Sequence, residues 1–226
     1  MISSPKTFSQ PLRVIVWSEG TEPKTVYPKG INGAIGDFLA QEKDLEVTTA
    51  TLTDDDYGVS QSRLNRTDVL IWFGHKKHDE IPDEVADRIK LQVENKGMKL
   101  IALHSSHFSK AFKSILNHSG AWADYRDTGE SETIKIVDAK HPIAEGVSDF
   151  IIPHTEIYDE PFQVPEPQSV IAKGTWVSGS TSREIMTWTV GKGSVVYIRA
   201  GHEDYPIFFM PPMQRLITNA VYWKAQ

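Results

Sequence analysis

"LIALHSSHFSKAF", residues 100–112, decides how the chain is read. Four apolar residues, Leu100–Leu103, stop at His104. Two serines and a second histidine follow, and "HFSKAFKSIL" then has the texture of a helix. The apolar run from Lys99 to Leu103 reads as a buried strand. A strand that turns through polar residues into a helix is where α/β proteins expose reactive side chains.

Working outward, Arg13–Trp17, Glu46–Leu52 and Asp68–Phe73 read as three earlier strands, rich in β-branched and aromatic residues. The third is apolar on successive residues, which predicts cover on both faces. Ile31, Ile35, Phe38 and Leu39 recur at helical spacing after the first strand. A second helix is expected from Asp79 to Gly97, with Pro82 near its start and Ile81, Val85, Ile89 and Val93 every four residues. Strands that alternate with helices predict a mainly parallel sheet with helices on both sides. Past residue 130, Thr133–Val137 and Ser169–Ala172 read as short strands. Glu184–Thr189 and Ser194–Ala200 flank "VGKG" as a C-terminal hairpin. Met213, Leu216, Ile217, Ala220 and Val221 mark a last, core-facing helix. Residues 1–11 read as a flexible leader and 12–226 as a single domain, which the length of 226 residues accommodates.

Charge and composition exclude several functions. A formal net charge of −6 argues against a broad nucleic-acid or anionic-membrane surface. No apolar run approaches a membrane span. The N-terminus lacks the apolar core of a signal peptide, so a cytoplasmic location is expected. The absence of cysteine removes disulfides, thiolate nucleophiles and thiolate-bound zinc. Gly30, Gly33 and Gly36 are placed for close packing and do not form a phosphate loop, which needs its glycines directly after the strand. "TDDDYG" reads as a turn, too short for a calcium loop. The size is compatible with a homo-oligomer.

In an open α/β sheet, ligands sit beyond the carboxyl ends of the strands. The polar residues just past those ends are Trp17, Ser18 and Glu19; His75, His78 and Asp79; His104, Ser105, Ser106 and His107; and His202, Glu203, Asp204 and Tyr205. Five of the eight histidines lie there. Three chemistries fit. A serine at the turn could act as a nucleophile, but "HSSH" is not Gly-x-Ser-x-Gly. Histidines 75, 104 and 202 could hold a divalent metal such as zinc, which needs three or four ligands. Or histidines and carboxylates could serve as acid–base and binding groups in a sugar-sized pocket, with Trp17, Trp72 and Tyr205 as apolar faces. In "PHTEIYDEPF", His154, Glu156 and Tyr158 alternate, so an extended chain points them to one side. Glu156 is the carboxylate of choice there, and His141-Pro142 reads as a structural turn.

The segments "VIVWSEG", "LIWFGHKKHDE", "LHSSHFSKAFK", "HPIAEGV", "IYDEPF" and "GKGSVVYIRAGHEDYP" resemble the trehalose-utilisation (ThuA-like) family from about residue 12 to the C-terminus. The resemblance implies a flavodoxin-like three-layer α/β/α sandwich of the class I glutamine amidotransferase type. It also implies a role in the use of trehalose or related disaccharides and keto-sugars. In the amidotransferases a cysteine occupies the turn held here by His104–His107, and a catalytic histidine follows a late strand, where His202 stands. Without a thiol no γ-glutamyl thioester forms, so glutaminase activity is not expected. The expected site is His104 and His202 as catalytic groups, with Trp17, Glu19, His75, Ser105, His107, Glu156, Glu203 and Tyr205 around the substrate. No cofactor is specified beyond the zinc alternative, and the expected ligand is a small sugar. The alternatives kept open are a non-catalytic sugar-binding or regulatory protein and a metal-dependent hydrolase.

Overall fold

A computed structural model describes residues 10–225. The expected leader lies almost wholly outside the described residues. The first half of the chain lays down β1 (Leu12–Ser18), α1 (Gly30–Leu39), β2 (Leu45–Thr51), a short α2 (Gln61–Leu64), β3 (Val69–Phe73), α3 (Asp83–Leu91), β4 (Lys99–Leu103) and α4 (Lys110–Leu116). Then come β5 (Asp124–Arg126), β6 (Glu132–Ile136), β7 (Phe150–Ile152), β8 (Ile157–Asp159), β9 (Ser169–Trp176), β10 (Thr181–Val190), β11 (Gly193–Ile198) and α5 (Pro211–Tyr222).

Nine of these strands form one sheet in the order β2-β1-β3-β4-β11-β10-β9-β6-β7. From β2 to β11 every pairing is parallel, and from β11 to β7 every pairing is antiparallel. The sheet is therefore mixed, where the strand pattern predicts a mainly parallel one. The cause is in the connections. Helical crossovers join the early strands, while β9, β10 and β11 are joined by short turns, which admit only antiparallel neighbours. The C-terminal hairpin is present as β10 and β11.

Both faces are covered. Along β1, Val14 and Val16 pack toward α1 and α5, while Ile15 and Trp17 pack toward α3 and α4. In β3, Val69, Ile71 and Phe73 share the first side, and Leu70 and Trp72 the second. That is why these strands read as unbroken apolar runs. Each fully buried Ile, Leu or Phe contributes about 1.5–3 kcal/mol of transfer free energy.

The helix boundaries differ from the sequence expectation in two places. Residues His78–Glu80 form a separate 3-10 turn before α3, and Gln92–Lys96 continue α3 as a π-helical turn that Gly97 ends at φ +82°. His104–Phe108 form a 3-10 turn, and α4 starts only after Ser109, whose hydroxyl accepts from the Phe112 amide at 3.2 Å. Ser109 is thus a helix N-cap.

Register places the strand ends together. Ser18 pairs with Phe73, Phe73 with Leu103, and Leu103 with Ile198. These four strands, β1, β3, β4 and β11, therefore finish level. Glu19, His75, His104 and the 199–203 segment all emerge at one edge.

Candidate functional site

His104 is the residue at the turn. It follows β4 directly and adopts φ +53°, a conformation few residues with a side chain take. Its ring is fully buried. Gly201 makes this possible, because a Cβ there would lie 2.9 Å from the His104 Cβ and 2.9 Å from Phe208. Ser106 stitches the turn to β3, donating to the Trp72 carbonyl at 2.8 Å and accepting from the Gly74 amide at 2.9 Å.

The imidazoles of His75, His104 and His202 meet with ring centroids 5.3–5.4 Å apart. Glu156, just before β8, lies among them. Its Oε1 is 2.8 Å from His202 Nε2 and its Oε2 is 3.1 Å from His104 Nε2. Tyr125 donates to Oε1 at 2.6 Å and Tyr158 to Oε2 at 3.0 Å. Burial would raise the Glu156 carboxyl, but the hydrogen bonds it accepts, those from His202 and Tyr125 among them, outweigh it and hold the acid well below its usual range.

Hydrogen counting assigns the ring protons. The single Tyr158 proton goes to Glu156, so Tyr158 accepts from Ser105 at 2.8 Å. The Ser105 proton is then spent, and His75 Nδ1 must donate to Ser105, also at 2.8 Å. His75 Nε2 is left bare, 3.2 Å from Glu203 Oε2. His104 Nδ1 faces the Arg199 carbonyl at 3.2 Å and must donate, which leaves its Nε2 bare toward Glu156. His202 is the reverse. Its Nδ1 accepts from the Asp204 amide at 2.9 Å, so its Nε2 carries the proton offered to Glu156.

These environments separate the imidazoles. Burial pushes His75 down to about 3 and lowers His104. For His202 burial is outweighed by the Glu156 bond, and its value rises. Burial raises Glu203, against the opposing pull of the Lys76 ammonium beside it. Groups displaced in opposite directions within one pocket are the usual makings of acid–base pairs.

A cavity of about 580 Å³ opens beside the cluster. His75, Ser105, His107, Trp122, Tyr125 and Tyr158 are among its walls. His107 donates from Nδ1 to the Gly120 carbonyl at 2.6 Å, and burial pushes its value down to about 3.

The remaining expected residues fall elsewhere. Trp17 is buried in the core, stacked on Trp72 at 3.7 Å, and neither ring faces the cavity as a sugar platform would. Glu19 lies behind the cluster, where its carboxylate accepts the Lys76 amide at 2.5 Å and the Lys77 amide at 3.1 Å, and so pins the loop that carries His75. Tyr205 packs on His202 at 4.9 Å. His78 sits against Phe108, outside the cluster. His154 turns away to the Gly129 carbonyl, so the alternation with Glu156 and Tyr158 holds for the latter two only. His141 accepts the Ile143 amide as a turn cap.

The structure adds groups that the motif pattern does not single out. Tyr125 and Tyr158 come from β5 and β8, which pair antiparallel at Tyr125–Tyr158. Arg199, fully buried, donates from Nη1 to the Glu156 carbonyl at 3.1 Å and from Nε to Glu184 at 2.6 Å, and it is paired with Glu132. Burial drives the Glu132 carboxyl upward, against the opposing pull of the Arg199 guanidinium. Through one carbonyl and one nitrogen, Arg199 fixes both His104 and Glu156.

Fold and strand-end cluster together define an α/β protein whose fold is similar to that of glutamine amidotransferases, with histidine at the turn and no cysteine anywhere in the chain. The chain belongs to the ThuA family (Trehalose utilisation), whose model matches residues 13–224. Among solved structures it is similar to a candidate ThuA-like protein from Bacteroides uniformis, with 13% identity, a TM-score of 0.70, and coverage of 96% of this chain and 92% of that one. It is similar to a candidate GMP synthase component from Thermoplasma acidophilum, with 10% identity, a TM-score of 0.58, and coverage of 95% and 94%. It is also similar to a glutamine amidotransferase from Thermotoga maritima, with 10% identity, a TM-score of 0.51, and coverage of 85% and 76%. No curated protein matches the chain. No helix among the described residues is long and apolar enough to cross a membrane.

Proposed function

We propose that this protein is an enzyme of carbohydrate utilisation, acting on trehalose or a related disaccharide or keto-sugar. One observation carries the reading: His75, whose ring meets those of His104 and His202 around Glu156, lines a cavity of about 580 Å³ walled also by Trp122, Tyr125 and Tyr158. Aromatic faces with a few convergent polar groups suit a sugar ring, and the volume is that of a small-ligand pocket. In this reading His202 and Glu156 form the proton-carrying pair, with the His202 Nε2 proton held on the carboxylate at 2.8 Å. His75, kept neutral and weakly basic by burial, holds a bare nitrogen that can accept a hydrogen bond from a substrate hydroxyl. Ser105 and Tyr158 connect His75 to Glu156 by hydrogen bonds of 2.8 Å and 3.0 Å, which hold the ring and the carboxylate in fixed relation. Ser105 is a link in that chain, hydrogen-bonded on both sides, and not a free nucleophile.

The test is a panel of disaccharides and their keto derivatives, incubated with the full chain and followed by mass spectrometry. A new product from at least one member is expected. Saturable binding with no product from any member would replace the enzyme with a sugar-binding protein on the same scaffold, and no binding at all would overturn the carbohydrate reading.

A further inference from the structure

The cluster holds more electron pairs than its protons can satisfy. The bare Nε2 of His75 lies 3.2 Å from Glu203 Oε2, and the bare Nε2 of His104 lies 3.1 Å from Glu156 Oε2. His104 Nε2 is fully buried and has no hydrogen-bond partner. Of buried Glu203, Oε1 meets the Lys76 ammonium, while Oε2 has no hydrogen-bond partner. Two lone pairs at such distances repel unless a positive centre lies close by, and buried polar groups without partners cost free energy.

The geometry of the neighbours is that of a cation site. One ligand atom each from His75, Glu156 and His202 lies within 4.8 Å of the others. Ligands around tetrahedral zinc stand roughly 3.4 Å apart, so these groups have only to draw in modestly. His75 donates Nδ1–H to Ser105 Oγ, which is how metal-binding imidazoles are oriented, while the Nδ1 of His202 faces the Asp204 backbone. The carboxylate is itself fixed, by Tyr125 and Tyr158.

We propose that His75, His202 and Glu156 bind one divalent transition-metal ion, with zinc as the type. The donor set is imidazole nitrogen and carboxylate oxygen, without thiolate, which suits zinc and its first-row neighbours better than calcium or magnesium. The ion takes the Nε2 position that a proton holds now, and that proton moves to Nδ1, where the Asp204 carboxylate stands 3.8 Å away and the Asp204 amide gives up its bond. Three protein ligands leave a coordination position open, and of the three His75 lines the cavity, the side from which a small molecule would reach the ion. There the ion would act as a Lewis acid on a sugar oxygen. His104 turns one more bare nitrogen toward the same carboxylate. The inference deepens the carbohydrate reading and rests on the same site; with the ion bound, His75, His202 and Glu156 serve as its ligands in place of the proton and hydrogen-bond roles given above.

The experiment uses the full chain without an affinity tag, stripped by chelator and titrated with zinc chloride in a calorimeter. One ion per chain is expected. His75→Ala and His202→Ala should each weaken binding by at least ~10-fold, because even outer-shell changes cost that much. His154→Ala, outside the cluster, should leave affinity unchanged. If either alanine variant loses the wild-type near-ultraviolet dichroism, cobalt(II) added to the wild-type protein decides: visible absorption bands that zinc abolishes are expected. Less than roughly a tenth of an ion per chain, or unchanged affinity in both folded variants, would overturn the site. Sugar turnover by zinc-free protein that cannot bind the ion overturns this inference and leaves the carbohydrate reading intact. Stoichiometric zinc with no sugar bound supports the site and overturns the other reading.

Discussion

Replacing Arg199 by methionine should destabilise the protein more than any other single change at its sheet. The guanidinium is fully buried, paired with Glu184 at 2.6 Å and with Glu132, and bonded to the Glu156 carbonyl at 3.1 Å. Arg199→Met leaves buried acids without their counter-charge, and breaking a buried pair this way costs about 3–5 kcal/mol. With a urea m-value near 2.5 kcal/mol/M, the unfolding midpoint should fall by about 1–2 M. The reasoning also predicts a rescue. In Arg199→Met/Glu132→Leu/Glu184→Gln the charges go together, and the introduced glutamine can still accept the Ala200 amide that Glu184 accepts now. Replacing a buried ion cluster by neutral groups of similar size is often neutral or better, so the triple variant should recover at least half of the loss. Urea titrations followed by tryptophan fluorescence give both numbers, and Trp176, 4.8 Å from the guanidinium, reports the site directly. A single-variant loss under about 1 kcal/mol, or a triple variant no better than the single, would refute the picture of a charged scaffold behind His104 and Glu156.

Two further outcomes follow from the same packing. His107 is buried with its value pushed down to about 3, so on acidification the unfolded chain binds its proton first, near its ordinary 6.5. Stability from this group is present above that pH and is lost as pH falls toward the folded value, by about 2 kcal/mol between pH 7 and pH 5. His107→Asn keeps a donor for the Gly120 carbonyl and should flatten the pH dependence of urea unfolding by that amount, and an unchanged slope would contradict the assignment. Gly201→Ala sets a Cβ 2.9 Å from both His104 and Phe208, so a loss of about 1–3 kcal/mol and a displaced His104 are expected, and a melting temperature equal to wild type would show the contact is not tight.

The parallel half of the fold is legible because both of its faces are buried, and β1, β3 and β4 are written as unbroken apolar runs. The antiparallel half is less so. In β9 only alternate residues are buried after Ala172, and nothing in "SVIAKGTW" states which neighbours it will take. The site divides along similar lines. His75, His104 and His202 could be picked out because each follows a strand, and strand ends meet at one edge by register. Glu156 could be picked out by its alternation with Tyr158. Tyr125 could not, because it reaches the cluster only through the β5–β8 pairing, across 31 residues of sequence. Arg199 was hidden because its partners, Glu132 and Glu184, lie in other strands and look in sequence like ordinary solvent-facing charges. Trp17 misleads for the opposite reason: it stands at a strand end but its ring turns inward onto Trp72.

The central claim is that the strand-end cluster does the chemistry of this family member. It is tested most directly by comparing His202→Gln with His154→Gln on whichever sugar the wild-type chain converts, at equal folded concentration. The account predicts that His202→Gln loses about 10²–10⁴-fold in turnover, the contribution of one positioned acid–base group, while His154→Gln stays at the wild-type rate. Equal rates for His202→Gln and wild type would contradict it.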